Sequence, residues 1–327
     1  MSAAKTKKGQ LISLVVPVYK EEGNIAPFLE RTLPILRGLG MDYEVIFCLD
    51  PSPDRTEEKI RAGMKKDPKV GLMVFSRRFG QPAATLAGLK AAQGDAVAVI
   101  DVDLQDPPEL LHQMVERWRA GADVVAARRK SRRGETLIKK WVSSFGYWLI
   151  NSASDVAIPR ETGDFRLMSR RVVDHVTSLR EKHGFLRGLV AFVGFRQEFV
   201  EFDRAERADG EGKYNRYTGS LRIGFNGLVG FSNFLLNGTL AVGLVVAGFA
   251  FLVTCFVLVT KLFYNSAYPM GVPTTIILVL FMGGVQLVSI GILGQYIGRI
   301  YDEVKDRPVS IVDRQWNIGA RKGGRRG

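Results

Sequence analysis

Two uncharged apolar runs near the C-terminus constrain this chain more than any other feature. Phe234 to Tyr264, "FLLNGTLAVGLVVAGFAFLVTCFVLVTKLFY", carries no charge until Lys261. Thr274 to Gly298, "TTIILVLFMGGVQLVSIGILGQYIG", carries none at all. Each exceeds the ~20 apolar residues a helix needs to cross a bilayer. The alternative is a pair of buried core helices, yet a soluble core rarely calls for two such stretches. The reading is two transmembrane helices within residues 233–298, joined by the short uncharged "NSAYPMGVP".

Basic residues flank the pair: Arg204, Arg207, Lys213, Arg216 and Arg222 before it, Arg299, Lys305 and Arg307 after it. The positive-inside rule then puts both flanks in the cytoplasm, so that the hairpin crosses and returns. Four regions follow: a large cytoplasmic domain over 1–200, juxtamembrane amphipathic segments over 201–232, the two helices, and a basic cytoplasmic tail over 299–327. The net charge of +13 fits attraction to an anionic membrane surface. A nucleic-acid reading would want basic residues interleaved with exposed aromatics on a soluble module, and none is evident. Cys48 and Cys255, both in apolar runs, make no disulfide framework or zinc spacing, which suits a reducing compartment. The polar, basic "MSAAKTKKGQ" leads into a strand-like run, so no signal peptide is expected.

Upstream, short apolar runs alternate with helix-like stretches. "LISLVVPVY", "YEVIFCLD", "VGLMVFSR", "AVAVID" and "ADVVAAR" read as strands. Helical segments run through "IAPFLERTLPILRGL", "RTEEKIRAGMKK", "PAATLAGLKAA" and "PPELLHQMVERWRAG". This alternation predicts a mostly parallel α/β sheet, whose buried strands read as continuous apolar runs.

Ligands of such sheets bind beyond the carboxyl ends of the strands. Those ends carry Pro17, Tyr19 and Glu21, then Asp50 and Asp54, then Arg77 and Gln81, then Asp101, Asp103 and Gln105, and Arg128. No G-x-G-x-x-G follows the first strand, and no G-x-x-x-x-G-K-[ST] occurs. A bound nucleotide's phosphates therefore need a counter-ion other than a glycine-rich cradle. Clustered carboxylates suggest a divalent metal, Mg2+ or Mn2+, for which oxygen ligands are suited. If the strand continues through them, Asp101 and Asp103 share a side-chain direction and could grip one ion. The competing reading is a solvated acidic turn with capping duties.

"VVPVYKEEGNI", "EVIFCLDPSPDRT", "DVDLQDPPE", "TGDFRLMSRR" and "GQYIGRIYDEVKDRP", in this order and followed or overlapped by two apolar spans, resemble the family 2 glycosyltransferases. More narrowly they resemble the membrane-bound polyisoprenyl-phosphate glycosyltransferases, the dolichol-phosphate mannose synthase-like group. The similarity is greatest to the bacterial branch that loads sugar onto undecaprenyl phosphate for O-antigen glucosylation. It extends over roughly Leu11 to Pro308.

The resemblance implies a GT-A fold on an inner-membrane protein. It also implies inverting transfer of a sugar from a nucleotide diphosphate, with UDP-glucose the first guess, to a polyprenyl phosphate. Pro17, Tyr19 and Glu21 look like the nucleotide-binding start, and Asp50 like the aspartate that reads the base. Asp101 and Asp103 look like the metal and diphosphate site, with Gln105 beside them. Arg128 resembles an arginine that contacts phosphate. Relatives often carry a further carboxylate in or near "SDVAIPRETGDF"; Asp155, Glu161 and Asp164 are candidates here, and Asp164 is the choice. The chain departs from the pattern at "LDPS", where relatives commonly read D-D-G-S, and at Ala157.

A phosphate monoester is already nucleophilic near neutral pH, because its second ionisation lies near ~6. Positioning and neutralising the departing diphosphate then matter more than a strong base. Arg204, Arg207 and Lys213 are candidates to hold the lipid phosphate, against the plainer role of binding anionic headgroups. "IKKWVSSFGYWLIN" reads either as an amphipathic helix on the membrane or as a core helix. His112, His175 and His183 lack metal-like spacing. Gly294 and Gly298 at G-x-x-x-G spacing suit close helix packing, within the hairpin or between copies in a homo-oligomer. A processive polysaccharide synthase would carry Q-x-x-R-W and more spans. A scaffold or flippase partner would leave the aspartate pair without a purpose.

Overall fold

The computed structural model describes residues 10–130, 159, 162–179, 181, 186–203, 234–264 and 271–319. The chain divides into two compact units. One holds every described strand. The other holds two long helices.

The strand unit begins β1 (Leu11–Val18), α1 (Ile25–Gly38), β2 (Asp42–Leu49), α2 (Thr56–Lys66), β3 (Val70–Phe75), α3 (Gln81–Ala91) and β4 (Ala96–Val99). It continues with α4 (Leu110–Arg119), β5 (Val124–Arg129), β6 (Thr162–Ser169), α5 (Arg170–Ser178), α6 (Leu186–Phe192) and β7 (Gln197–Phe202). It ends with β8 (Val312–Trp316). The strands form one sheet in the order β7-β5-β6-β4-β1-β2-β3-β8. β1 pairs in parallel with β2 and β4, β2 with β3, and β5 with β7. This is the mostly parallel α/β sheet expected from the sequence.

The apolar runs explain the centre of the sheet. In β1 every residue from Ile12 to Val18 is buried, and β3 is buried throughout. Strands covered on both faces need no polar alternation. Ile12, Leu14 and Val16 join Phe28, Phe47, Leu111 and Met114 in one core. On the opposite face, α3 lies so close that a Cβ on Gly88 would stand 2.4 Å from Val15 Cγ1 and 2.7 Å from Cys48 Sγ. Only glycine allows that approach.

Two features depart from simple alternation. β6 runs antiparallel between β4 and β5, which brings "TGDFR" beside the end of β4. β8 comes from the C-terminal tail and pairs antiparallel with β3, closing that edge. The tail is thus more than a solvated basic extension.

In the second unit, α7 (Phe234–Tyr264) has 31 residues and α8 (Val272–Val304) has 33. At ~1.5 Å per residue each reaches more than ~40 Å, longer than a bilayer's hydrocarbon core. Leu244, Val245 and Phe249 on α7 and Leu287, Val288 and Ile297 on α8 are all exposed. Among the described residues one segment, Phe281–Val304, is long and apolar enough to cross a membrane by length and composition.

Candidate active site

The site forms where the loops after β1, β2, β3 and β4 meet the start of β6. Backbone N–H groups of Lys20, Glu21 and Glu22 donate to Ser52 Oγ (3.1 Å), Thr56 Oγ1 (2.9 Å) and Asp54 Oδ2 (3.4 Å). Asp54 also accepts from Ser52 Oγ at 2.5 Å and Thr56 Oγ1 at 2.7 Å, so one carboxylate organises two loops. These bonds outweigh the cost of its burial and hold its pKa below the usual range. Lys20 takes a left-handed backbone (φ 56°) to make the turn. Glu21 accepts from Asn24 Nδ2 at 2.6 Å, and Pro17 is locked in β1 opposite Cys48.

Asp50 is 3% exposed. Its two oxygens accept the N–H groups of Phe79 (3.0 Å) and Gly80 (2.8 Å), which fixes the loop after β3. Gly80 sits at φ +91°, open to glycine at little cost. The Arg78 guanidinium lies 4.1 Å from the Tyr19 ring centroid, and Gln81 Nε2 donates to Asp101 Oδ1 at 2.8 Å. One short loop therefore touches Tyr19, Asp50 and Asp101. Asp50, expected to read a base, uses both of its oxygens on the backbone of the loop after β3.

The strand does not continue through Asp101 and Asp103: β4 ends at Val99. The chain turns instead, with Leu104 at φ 56° and Asp103 Oδ1 accepting the Gln105 N–H at 3.2 Å. Burial first, and then the negative charges of Asp164, Asp103 and Asp106, push the Asp101 carboxyl up to about 7. Burial also pushes Asp164 upward, but Arg187, Arg166 and Arg129 outweigh it and leave its carboxyl below the usual range. Arg187 Nε donates to Asp164 Oδ1 at 3.0 Å. The buried Arg166 donates to the Gly163 carbonyl at 2.9 Å, and burial lowers its pKa to about 10.

Arg129, rather than Arg128, faces these carboxylates. Its Nη2 lies 3.9 Å from Asp106 Oδ1. Arg128 points the other way, 3.8 Å over the Phe199 ring, into a cleft of about 590 Å³ shared with Gln113, Arg117 and Lys130. Alternation along β5 explains the swap, since neighbouring residues face opposite sides. Val124–Ala127 are all buried, so the sequence carried no in/out parity that would distinguish Arg129 from Arg128. Arg166 and Arg187 gave no signal either. Arg204, Arg207 and Lys213, Asp155, Glu161 and Ala157, and residues 138–151 lie outside the described residues.

Among the described residues no three His, Cys, Asp or Glu side chains form a ready-made metal cage. The arrangement still fits a Mg2+-type ion, which commonly takes one or two carboxylates and completes its shell with water and substrate phosphate. Burial and then the neighbouring carboxylates raise Asp101, and an ion there would balance that negative charge.

The sequence that builds this fold has known relatives. A model of the family "Glycosyl transferase family 2" matches residues 13–177. The chain belongs to that family and is a glycosyltransferase. It is 43% identical to the uncharacterized glycosyltransferase YkcC of Bacillus subtilis, over 94% of each chain. It is 41% identical to the SfII prophage-derived bactoprenol glucosyl transferase of Shigella flexneri, over 93% of this chain and 97% of that one. Among solved structures it is similar to glucosyl-3-phosphoglycerate synthase of Mycobacterium tuberculosis with Mn2+, UDP-glucose and phosphoglyceric acid. There the identity is 21%, the TM-score 0.44, and the coverage 69% of this chain and 79% of that one.

Proposed function

We propose that this chain transfers a hexose, glucose first, from a UDP-sugar to a polyprenyl phosphate at the cytoplasmic face of the membrane. The observation that carries the reading is the cluster of Asp101, Asp103, Asp106 and Asp164 flanked by Arg129 and Arg187. Similarity to a bactoprenol glucosyl transferase supports the lipid acceptor and the sugar. The transfer is a single inverting displacement on a GT-A fold. An acceptor phosphate oxygen forms the new bond to the anomeric carbon, and the bond from that carbon to the nucleotide diphosphate breaks with its electron pair. The acceptor is a phosphate dianion with no proton to lose, so no base is required.

The loop held by Asp50, with Tyr19, Pro17 and Glu21 alongside, takes the nucleoside end. Asp101 and Asp103, with Gln105 nearby, would hold Mg2+ or Mn2+, which would supply charge to offset the leaving diphosphate. Asp164, kept ionised by Arg187, faces the anomeric centre and the positive charge developing there. Arg129, on the side of these carboxylates, takes the phosphate contact that the family resemblance implies for Arg128. Arg204, Arg207 and Lys213 hold the acceptor phosphate near the membrane.

α7 and α8 are proposed to form the membrane hairpin. The return of the chain to its own sheet supports this: it leaves after Phe202 and is back at Val312. An even number of crossings must lie between, if any occur. The test of the donor is a panel of UDP- and GDP-sugars offered to the detergent-purified protein with undecaprenyl phosphate. Transfer from UDP-glucose alone is expected. Transfer from another sugar only would replace the donor, and transfer from none, in folded protein, would contradict the proposal.

A further inference from the structure

β8 is the stretch of chain that follows the long helices, and its docking is specific. Leu72, Met73, Val74 and Phe75 pair with Trp316, Gln315, Arg314 and Val312. The Trp316 ring lies under the Arg61 guanidinium at 3.8 Å. Asn317 Nδ2 donates to the Val70 carbonyl at 3.1 Å. A Cβ on Gly71 would stand 2.7 Å from Ile318 Cγ1 and 2.9 Å from the Asn317 carbonyl oxygen. Gly71 therefore leaves space only for the tail.

The ladder does not stop at β3. The Ser76 N–H donates to the Ile311 carbonyl at 3.0 Å, at the first residue of the loop that carries Arg78 over Tyr19. Three and four residues after Ser76, the Phe79 and Gly80 N–H groups hold Asp50, and Gln81 reaches Asp101. Residues 76–81 are thus fixed at one end by the tail and at the other by the three groups assigned to the nucleotide.

We propose that β8 is a positioning element of the donor site. By fixing the start of the 76–81 loop, it holds Tyr19, Asp50 and Asp101 in the arrangement that binds the nucleotide diphosphate. The inference rests on the UDP-sugar reading of this site. It gives the post-membrane tail a part in donor binding. Covering the β3 edge would by itself affect stability alone.

The test is equilibrium binding of UDP, with Mn2+ present, to the full chain and to Gly71→Val, Trp316→Ala and Trp316→Phe. Gly71→Val should weaken UDP about tenfold and Trp316→Ala about threefold. Trp316→Phe keeps a ring under Arg61 and should stay near the unmodified value. In transfer assays the donor KM should rise in step, with kcat within about twofold. A strand that only covers the edge would lower the melting temperature and leave UDP binding unchanged. That result in folded Trp316→Ala overturns the proposal, whether or not Gly71→Val folds. Failure of the unmodified chain to bind UDP would overturn the donor reading and this inference together, whereas equal binding in all four proteins overturns this inference alone.

Discussion

Asp67 accepts from the Tyr43 hydroxyl at 2.6 Å and from Arg37 Nη2 at 2.9 Å, at the end of the sheet away from the site. Burial raises its pKa, but the bonds from Tyr43, the Lys69 backbone and Arg37 prevail and hold it below the usual range. The depressed folded value makes the stabilisation complete above about pH 4, and it is lost as pH falls through that value. Asp67→Asn should cost ~1–3 kcal/mol at neutral pH and flatten the acid side of a stability-against-pH curve. Denaturation at stepped pH checks this. Arg128 and Arg129 offer a sharper contrast at the site. Arg129→Gln should slow transfer by about 10²-fold or more, because its charge faces the acidic cluster. Arg128→Gln should leave the rate within about threefold, because its guanidinium stacks on Phe199. Equal losses in a side-by-side rate assay would contradict the assignment.

The packing of α3 on β1 and β2 depends on Gly88. Gly88→Ala pushes a methyl against Val15 and Cys48 and should destabilise the sheet unit by ~1–3 kcal/mol, read as a lowered melting temperature. Among elements, β1 to β5 and their helices were legible because each strand holds a largely apolar run that ends in turn or charged residues. β6 was not: "TGDFRLMS" mixes charge with apolar residues, with Asp164 and Arg166 inside the strand. β7, "QEFVEF", is a sheet edge with half its residues polar. β8, "VDRQW", is exposed along most of its length, and its pairing is set by a partner more than two hundred residues earlier. The aspartate cluster was legible as a composition. Its geometry was not, because it depends on a turn at Leu104 and on β6 arriving antiparallel beside β4.

At the scale of the molecule, one sheet contains both the first and the last described strand, which in sequence precede and follow the two long apolar helices. If α7 and α8 span the membrane, the two termini share a face and residues 265–270 lie on the other. Tags at each end should therefore be protected together in sealed inside-in cells. A cysteine introduced at Pro269 should react with an impermeant thiol reagent from outside. Reaction at a terminus from the outside would contradict the hairpin. The proposed reaction is a metal-assisted transfer of sugar to a lipid phosphate at the cluster of Asp101, Asp103 and Asp164. It is tested most directly by following labelled UDP-glucose into undecaprenyl phosphate with the purified protein, with and without EDTA, beside Asp103→Ala. Label in the lipid that is lost with EDTA and in the variant is the predicted result. Label that persists undiminished in both would contradict the site.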